Sequence, residues 1–265
     1  MPDDRAGWVV VLDGYAQSHV DLDDPEDLAF EYVAQLATVL TALTSGRIAV
    51  THVGGAGMTL ARWVQHVRPG SPQVVLEPDA GLTELVRREL PLPRGHRIRV
   101  RPVDGRSGVS ALRDASADVI VLDAYAGGQV PAELGTLEFL TDCARVLRPT
   151  GLLLANIADE PGLRYAARVA AGARAALGHA AYLATVEVTK GRRFGNGVLV
   201  ASKRPVDVDE LRRQAARSAF PTGVLDEVEL GRRCAGARPF TDADAAPSPM
   251  PPSSASRAGG DWRVR

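Results

Sequence analysis

Residues 47–64 read RIAVTHVGGAGMTLARWV, and the fold turns on this stretch. A short apolar run, Ile48–Val53, leads into Gly54, Gly55 and Gly57 and then into an apolar-periodic segment from Thr59. Strand, glycine-rich turn and helix start in direct succession open a nucleotide-binding α/β unit. Glycines let the backbone approach a ligand closely, and the helix N-terminus offers N–H donors. The spacing departs from G-x-G-x-x-G, so the turn alone reads equally well as a structural one.

The pattern continues on the C-terminal side. Runs rich in Val, Ile and Leu recur at Val74–Glu77, Ile98–Pro102, Val119–Leu122, Leu152–Asn156 and Val198–Ser202. Amphipathic stretches lie between most of them, at Thr59–His66, Leu82–Arg88, Phe139–Leu147 and Leu163–Ala176. This alternation predicts a Rossmann-like, doubly wound, mostly parallel sheet over residues 47–202, covered on both faces. Ala181–Lys190 and Val198–Ser202, joined by GRRFGNG (191–197), read as an antiparallel edge hairpin. Arg192, Arg193 and Asn196 in that connection either reach over a pocket or only turn the chain, and the turn is favoured.

Three further regions flank this domain. Residues 1–46 predict a strand at Trp8–Leu12 and a polar turn. A helix is expected from Asp24–Pro25, where Asp can cap and Pro suits the first turn, with Phe30, Val33, Leu36, Ala37 and Leu40 on its apolar side and Gly46 as its stop. Residues 203–238 predict a C-terminal helical extension around Asp207–Ala219. Residues 239–265, with PSPMPPSSASRAGG at 247–260, have too little apolar content to offset ordering entropy, and disorder is expected there.

Bulk properties exclude several classes. A formal net charge of −1 gives no electrostatic reason for a nucleic-acid partner. No apolar run approaches the ~18 residues of a membrane span, and the N-terminus lacks the layout of a signal peptide, so a cytoplasmic protein is expected. Cys143 and Cys234 are too few for a disulfide framework and lack metal-ligand spacing; no metal is expected. Cys143, in LEFLTDCARVL (137–147), reads as core packing.

The candidate site follows the strand ends. Glu77 closes the second strand in QVVLEPDAG (73–81), about twenty residues after the glycines, where an acid can accept both ribose hydroxyls of a nucleoside. Asp104-Gly105, in RVRPVDGRSG (99–108), follows the third strand and fits either an adenine amino group or an ordinary turn. Asp123 ends the fourth strand in ADVIVLDAYAGG (117–128); an acid after four apolar residues is costly to leave unpaired and should meet a cation or polar ligand. Tyr125 and Gln129 follow in the same loop as candidate pocket residues. Asn156, in LLLANIAD (152–159), is divided between capping the next turn and lining the site. Gln17, His19, Asp21 and Tyr32 come from the front segment, where His19 reads as a polar-loop residue without a catalytic role. His52 reads as packing beneath the glycine turn, and no Ser-His-Asp or Cys-His arrangement is suggested.

With these residues in place, roughly residues 15–202 resemble the spermidine synthase-like aminopropyltransferases, which use the class I fold of S-adenosylmethionine-dependent methyltransferases. The resemblance implies that Gly54, Gly55 and Gly57 form the donor turn, Glu77 binds the ribose, and Asp104 and Gly105 contact the adenine. It implies that Asp123 opens the loop that holds the reacting amine, with Asp123 and Tyr125 as the catalytic candidates. Gln17 matches a Gln near the donor, and Phe30-Glu31-Tyr32 matches the start of an F-x-Y-H-E stretch, which places Tyr32, with Gln129, on the substrate side. The donor implied is decarboxylated S-adenosylmethionine or S-adenosylmethionine, the acceptor a small-molecule amine, and the activity part of polyamine biosynthesis.

The departures are specific. Gly57 stands where the family's donor-turn Asp would be, Val33-Ala34 replace the H-E, and the loop D-S-x-D-P reads Asp123-Ala124-Tyr125-Ala126-Gly127. The absent second acid is the one expected to take a proton from the attacking amine. Most of the family's β-rich front domain is also missing; it often supports oligomers, so a homodimer is allowed rather than required. Methyl transfer and non-catalytic nucleoside binding therefore stand beside aminopropyl transfer as expectations.

Overall fold

The computed structural model describes residues 7–12 and 15–252. Its elements, in order, are β1 (Trp8–Leu12), β2 (Tyr15–Val20), α1 (Glu31–Leu43), β3 (Val50–Val53), α2 (Thr59–Val67), β4 (Gln73–Leu76), α3 (Ala80–Glu89), β5 (Ile98–Arg101), α4 (Gly105–Ser110) and β6 (Ala117–Leu122). They continue with α5 (Leu137–Val146), β7 (Leu147–Asp159), α6 (Arg164–Leu177), β8 (His179–Thr185), α7 (Val186–Thr189), β9 (Gly195–Ser202), α8 (Val208–Ala215), β10 (Thr222–Leu225) and α9 (Glu227–Arg233).

Eight of these strands form one sheet in the order β10-β8-β9-β7-β6-β3-β4-β5. The five from β7 to β5 are parallel, and β9, β8 and β10 add antiparallel pairs. The chain moves outward from β3 to β5 and then returns to the other side of β3 with β6. That reversal is the topological switch point at which open α/β sheets bind ligands.

Side-chain alternation explains the continuous apolar runs. Along β6, Val119 and Val121 pack with α1 and α2 on one face, while Ile120 and Leu122 pack with α5 and α6 on the other. Leu152 and Leu154 against Leu153 and Ala155 repeat this division in β7. A strand buried on both faces has no solvent side on which to place polar residues.

Several sequence expectations need correction. Residues 15–20 form β2, which pairs antiparallel with β1, instead of continuing a polar turn. Helix α1 begins at Glu31, not at Asp24–Pro25. The Asp21 carboxylate accepts from the amides of Asp23 and Asp24 at 2.8 and 2.9 Å, and Asp24 accepts from Glu26 at 3.1 Å. These local turns divert the backbone from a helix. The strand expected at Ala181–Lys190 ends at Thr185, and Val186–Thr189 is a short helix. The β8–β9 hairpin is not the edge, because β10 pairs outside β8. Residues 203–238 thus add a strand to the main sheet as well as two helices.

The tail also departs from its expected disorder. Residues 239–252 lie along the body of the protein, where Phe240 is buried, bridges to Thr136 and packs its ring against Tyr165 at 5.3 Å. The Arg168 guanidinium sits 3.7 Å over the same ring. A single aromatic anchor with a few ion pairs offsets the ordering of a proline-rich segment whose unfolded ensemble is already restricted. The rest of that expectation, residues 253–265, lies outside the described residues. No helix among the described residues is long and apolar enough to cross a membrane.

Candidate functional site

The last residues of the central strands are in register: Val53 pairs with both Leu76 and Leu122, and Leu76 with Arg101. The residues that follow therefore emerge along one edge, and a cavity of about 1550 Å³ opens there. Its wall includes Gln17, Tyr32, Gly54, Gly55, Glu77, Asp104, Gly105, Asp123 and Tyr125 from the residues singled out in the sequence.

Gly54 adopts φ +87°. A Cβ there would stand 2.2 Å from the backbone oxygen of Asp123, so only glycine allows the two loops to lie back to back. Ala56 and Met58 also take positive φ, at 32° and 60°, and α2 begins at Thr59 without a side-chain cap. Glu77 ties this turn down. Its Oε2 accepts from the amides of Gly55 and Ala56 at 3.1 and 3.3 Å, and its Oε1 accepts from Asp79 at 3.0 Å. Asp104 caps α4 through Oδ1, which accepts from the Ser107 amide at 2.8 Å; that bond holds its carboxyl below the usual range.

Asp123 sits at the centre of a polar network. Asn156 donates to Asp123 Oδ1 at 2.8 Å, and the Tyr32 hydroxyl donates to the same carboxylate. Asn196 then donates to Asn156 Oδ1 at 2.9 Å and to the Tyr125 hydroxyl at 3.0 Å. As a residue Asp123 is only half-buried because it lines the cavity, but its carboxylate is desolvated. Burial raises its pKa to about 6 against the opposing bonds from Asn156 and Tyr32. Burial likewise drives the Tyr32 and Tyr125 phenols well above their ordinary value, with the Asp123 charge adding to it, so both remain neutral donors.

Three sequence candidates stand elsewhere, the first of them Asp21, whose carboxylate is engaged in the turn before α1. Gly57 is not part of the cavity wall; it packs beneath β2, where its amide donates to Ser18 Oγ at 3.0 Å and a Cβ would meet the Ser18 Cβ at 2.8 Å. Gln129 also points away, with its side-chain amide donating to the Ser248 carbonyl. Ala126 and Gln129 exchange backbone hydrogen bonds across Gly127 and Gly128, at φ +57° and +81°, and this tight turn swings the Gln129 side chain off the cavity.

His19 belongs to strand β2 and is buried, not a polar-loop residue. His52 packs beneath the glycine turn with its Nε2 at 2.8 Å from Gln73 Oε1, and burial lowers its pKa to about 4. The connection 191–197 does more than turn the chain: Arg193, Phe194, Gly195 and Asn196 enter the wall. Arg193 also bonds Glu31 at 2.8 Å, joining the connection to the start of α1. Pro251 and Pro252 complete the wall and carried no sequence signal. No group of His, Cys, Asp and Glu among the described residues could hold a metal ion.

Comparison with known proteins agrees with this geometry. No family model matches the chain. It is 33% identical to a probable spermidine synthase from Corynebacterium glutamicum of known crystal structure, with a TM-score of 0.83, covering 89% of this chain and 88% of that one. The polyamine aminopropyltransferase of Chromobacterium violaceum is 29% identical over 141 residues, 53% of each chain. The chain spans about half the length of the curated relatives it matches. Human methyltransferase-like protein 13, solved in complex with SAH, shares the fold at 22% identity and a TM-score of 0.53, covering 79% of this chain and 93% of that one. The switch-point cavity and these similarities agree: the chain belongs to the spermidine synthase-like family and has its class I methyltransferase fold.

Proposed function

We propose that this protein binds an adenosyl sulfonium donor, decarboxylated S-adenosylmethionine in preference to S-adenosylmethionine, and transfers its aminopropyl group to a small amine. The observation that carries this reading is the ordered set Glu77, Asp104 and Asp123 around the glycine turn in one cavity. Among the described residues the wall holds five carboxylates, Glu31, Glu77, Asp104, Asp123 and Glu133, against a single arginine, Arg193. That balance favours a cationic donor and a cationic acceptor.

Each residue has a bounded task. A carboxylate offers about four lone-pair positions, and Glu77 already uses three of them on backbone amides. One ribose hydroxyl can use the remaining position, and the second must take over one of the bonds now made to Gly55, Ala56 or Asp79. Asp104 keeps one oxygen on its cap and offers the other to an exocyclic amine. Asp123 is ionised at neutral pH yet basic enough to accept a proton. The neutral amine attacks the propyl carbon next to sulfur; the C–N bond forms, the C–S bond breaks, 5′-methylthioadenosine leaves, and the ammonium proton passes to Asp123. Alignment of the two reactants supplies most of the rate, because the sulfonium is already a good leaving group.

Calorimetry with both donors and with 5′-methylthioadenosine tests this. Tighter binding of the decarboxylated donor is expected, with at least tenfold weaker binding in Glu77→Ala. Preference for the carboxylated donor would redirect the reading to methyl transfer. Failure of all three ligands to bind would remove it.

A further inference from the structure

From the packing of residues 240–252 we infer that the C-terminal segment is part of the acceptor site, with Ser248 as a positioning residue for the loop after β6 and Pro251–Pro252 as its outer wall. The inference rests on the functional reading above for the identity of the ligand, but not for the geometry. Ser248 is fully buried. Its Oγ accepts from the Val130 amide at 2.9 Å, its own amide donates to the Val130 carbonyl at 3.2 Å, and its carbonyl accepts from the Gln129 side chain. Every polar group of this one serine is thus spent on residues 129 and 130, the return limb of the loop that begins at Asp123.

The segment is anchored on its way there. The Leu137 amide donates to the Phe240 carbonyl at 2.8 Å, and Phe240 is held between Tyr165 and Arg168. Asp242 receives both terminal nitrogens of Arg106 at 2.7 and 3.1 Å, and Asp244 pairs with Arg168. Arg106 follows Asp104-Gly105 directly, so one strap ties the adenine-side turn to the Asp123 loop. Three residues past Ser248 the chain enters the cavity wall.

This arrangement gives the Ala126 departure a physical meaning. The loop carries no second acid; its Gly127–Gly128 turn is closed by its own hydrogen bonds and clamped from outside by Ser248. Acceptor selection then falls to the shape fixed by the clamped loop and the proline pair.

Hydrogen exchange and steady-state kinetics on the full chain test this separately. Ser248→Ala should speed exchange at the Val130 amide at least tenfold without any ligand, and raise the acceptor KM at least fivefold with kcat changed less than twofold. Ser248→Thr, which keeps the hydroxyl, should restore both. Pro251→Gly with Pro252→Gly should leave Val130 exchange as in the parent chain and still raise the acceptor KM or change the order of preferred amines. Deletion of residues 253–265 should change none of these. Unchanged Val130 exchange in Ser248→Ala overturns the clamp, and unchanged acceptor kinetics in the proline variant overturns the wall. If the parent chain turns over no amine, the functional reading fails while the exchange result still decides the clamp.

Discussion

Asp123, the proposed proton acceptor, has a titration that is observable in two ways. Burial raises its folded pKa to about 6, above that of an unfolded aspartate near 4. The folded state therefore holds this proton more tightly, and between these values the unfolded chain binds fewer protons. Stability from this group is fully present below about pH 4 and is lost as pH rises through about 6. Asp123→Asn cannot titrate, so its melting temperature should fall less than that of the parent between pH 4.5 and 7.5. Parallel profiles would show that Asp123 is not desolvated in the folded protein. In the parent, kcat/KM should climb through an apparent pKa near 6 as the carboxylate becomes available, since this ratio reports groups of the free enzyme. The three acids were legible in the sequence because each follows directly on, or within a short turn after, a strand. Ser248 was not, because its partners lie 118 and 119 positions away and it breaks no apolar pattern; Asn196 was named but read as part of a turn, because its partners lie 40 and 71 positions away.

The elements divide along the same line. From β3 to β7 every strand and most intervening helices could be read from the sequence: the central strands are buried on both sheet faces and leave an apolar run, while the edge strand β5 alternates Ile98 and Val100 with exposed Arg99 and Arg101. The misread pieces are those whose conformation is set by contacts. Residues 15–20 have the polar composition of a turn but gain a partner in β1. Thr222–Leu225 is only four residues long and is a strand because β8 offers it an open edge. The helix after it, α9, depends on its cap. The Asp226 side chain accepts from the Glu229 amide at 2.9 Å, and the Glu229 side chain accepts from the Asp226 amide at 3.1 Å. This reciprocal capping box closes a helix of only seven residues, which places Leu230 in the main core. Asp226→Ala should therefore lower the midpoint of denaturant melts, as loss of such a cap does, with ligand affinity unchanged because α9 stands off the cavity. A loss of binding in this variant would mean that the β10–α9 segment shapes the site through β8.

At the scale of the whole molecule, the ribbon of β1 and β2 is hydrogen-bonded to itself and forms a sheet separate from the eight-stranded one. A lone two-stranded ribbon is marginal in water, so its order comes from docking. Val20 is buried with Met58, Ala61, Val75 and Leu82, and Val10 and Leu12 pack against the same cluster. The polar contacts fall on the glycine turn and the helix after it, where Ser18 Oγ accepts from Gly57 and Thr59 Oγ1 donates to the His19 carbonyl at 2.7 Å. Gly57 thus bears on the cavity indirectly: it lets the ribbon close against the turn, and the ribbon brings Val9, Val11 and Gln17 into the cavity wall. Removing residues 1–20 should leave the strand pairings of the main sheet intact, since none of them involves β1 or β2. Far-ultraviolet dichroism should retain the α/β signature while affinity for 5′-methylthioadenosine falls at least tenfold. Ser18→Ala, which deletes one bond and leaves the ribbon in place, should weaken binding in the same direction by a smaller factor. Full affinity in the shortened chain would mean that the main sheet alone makes the nucleoside site and that the ribbon only covers it.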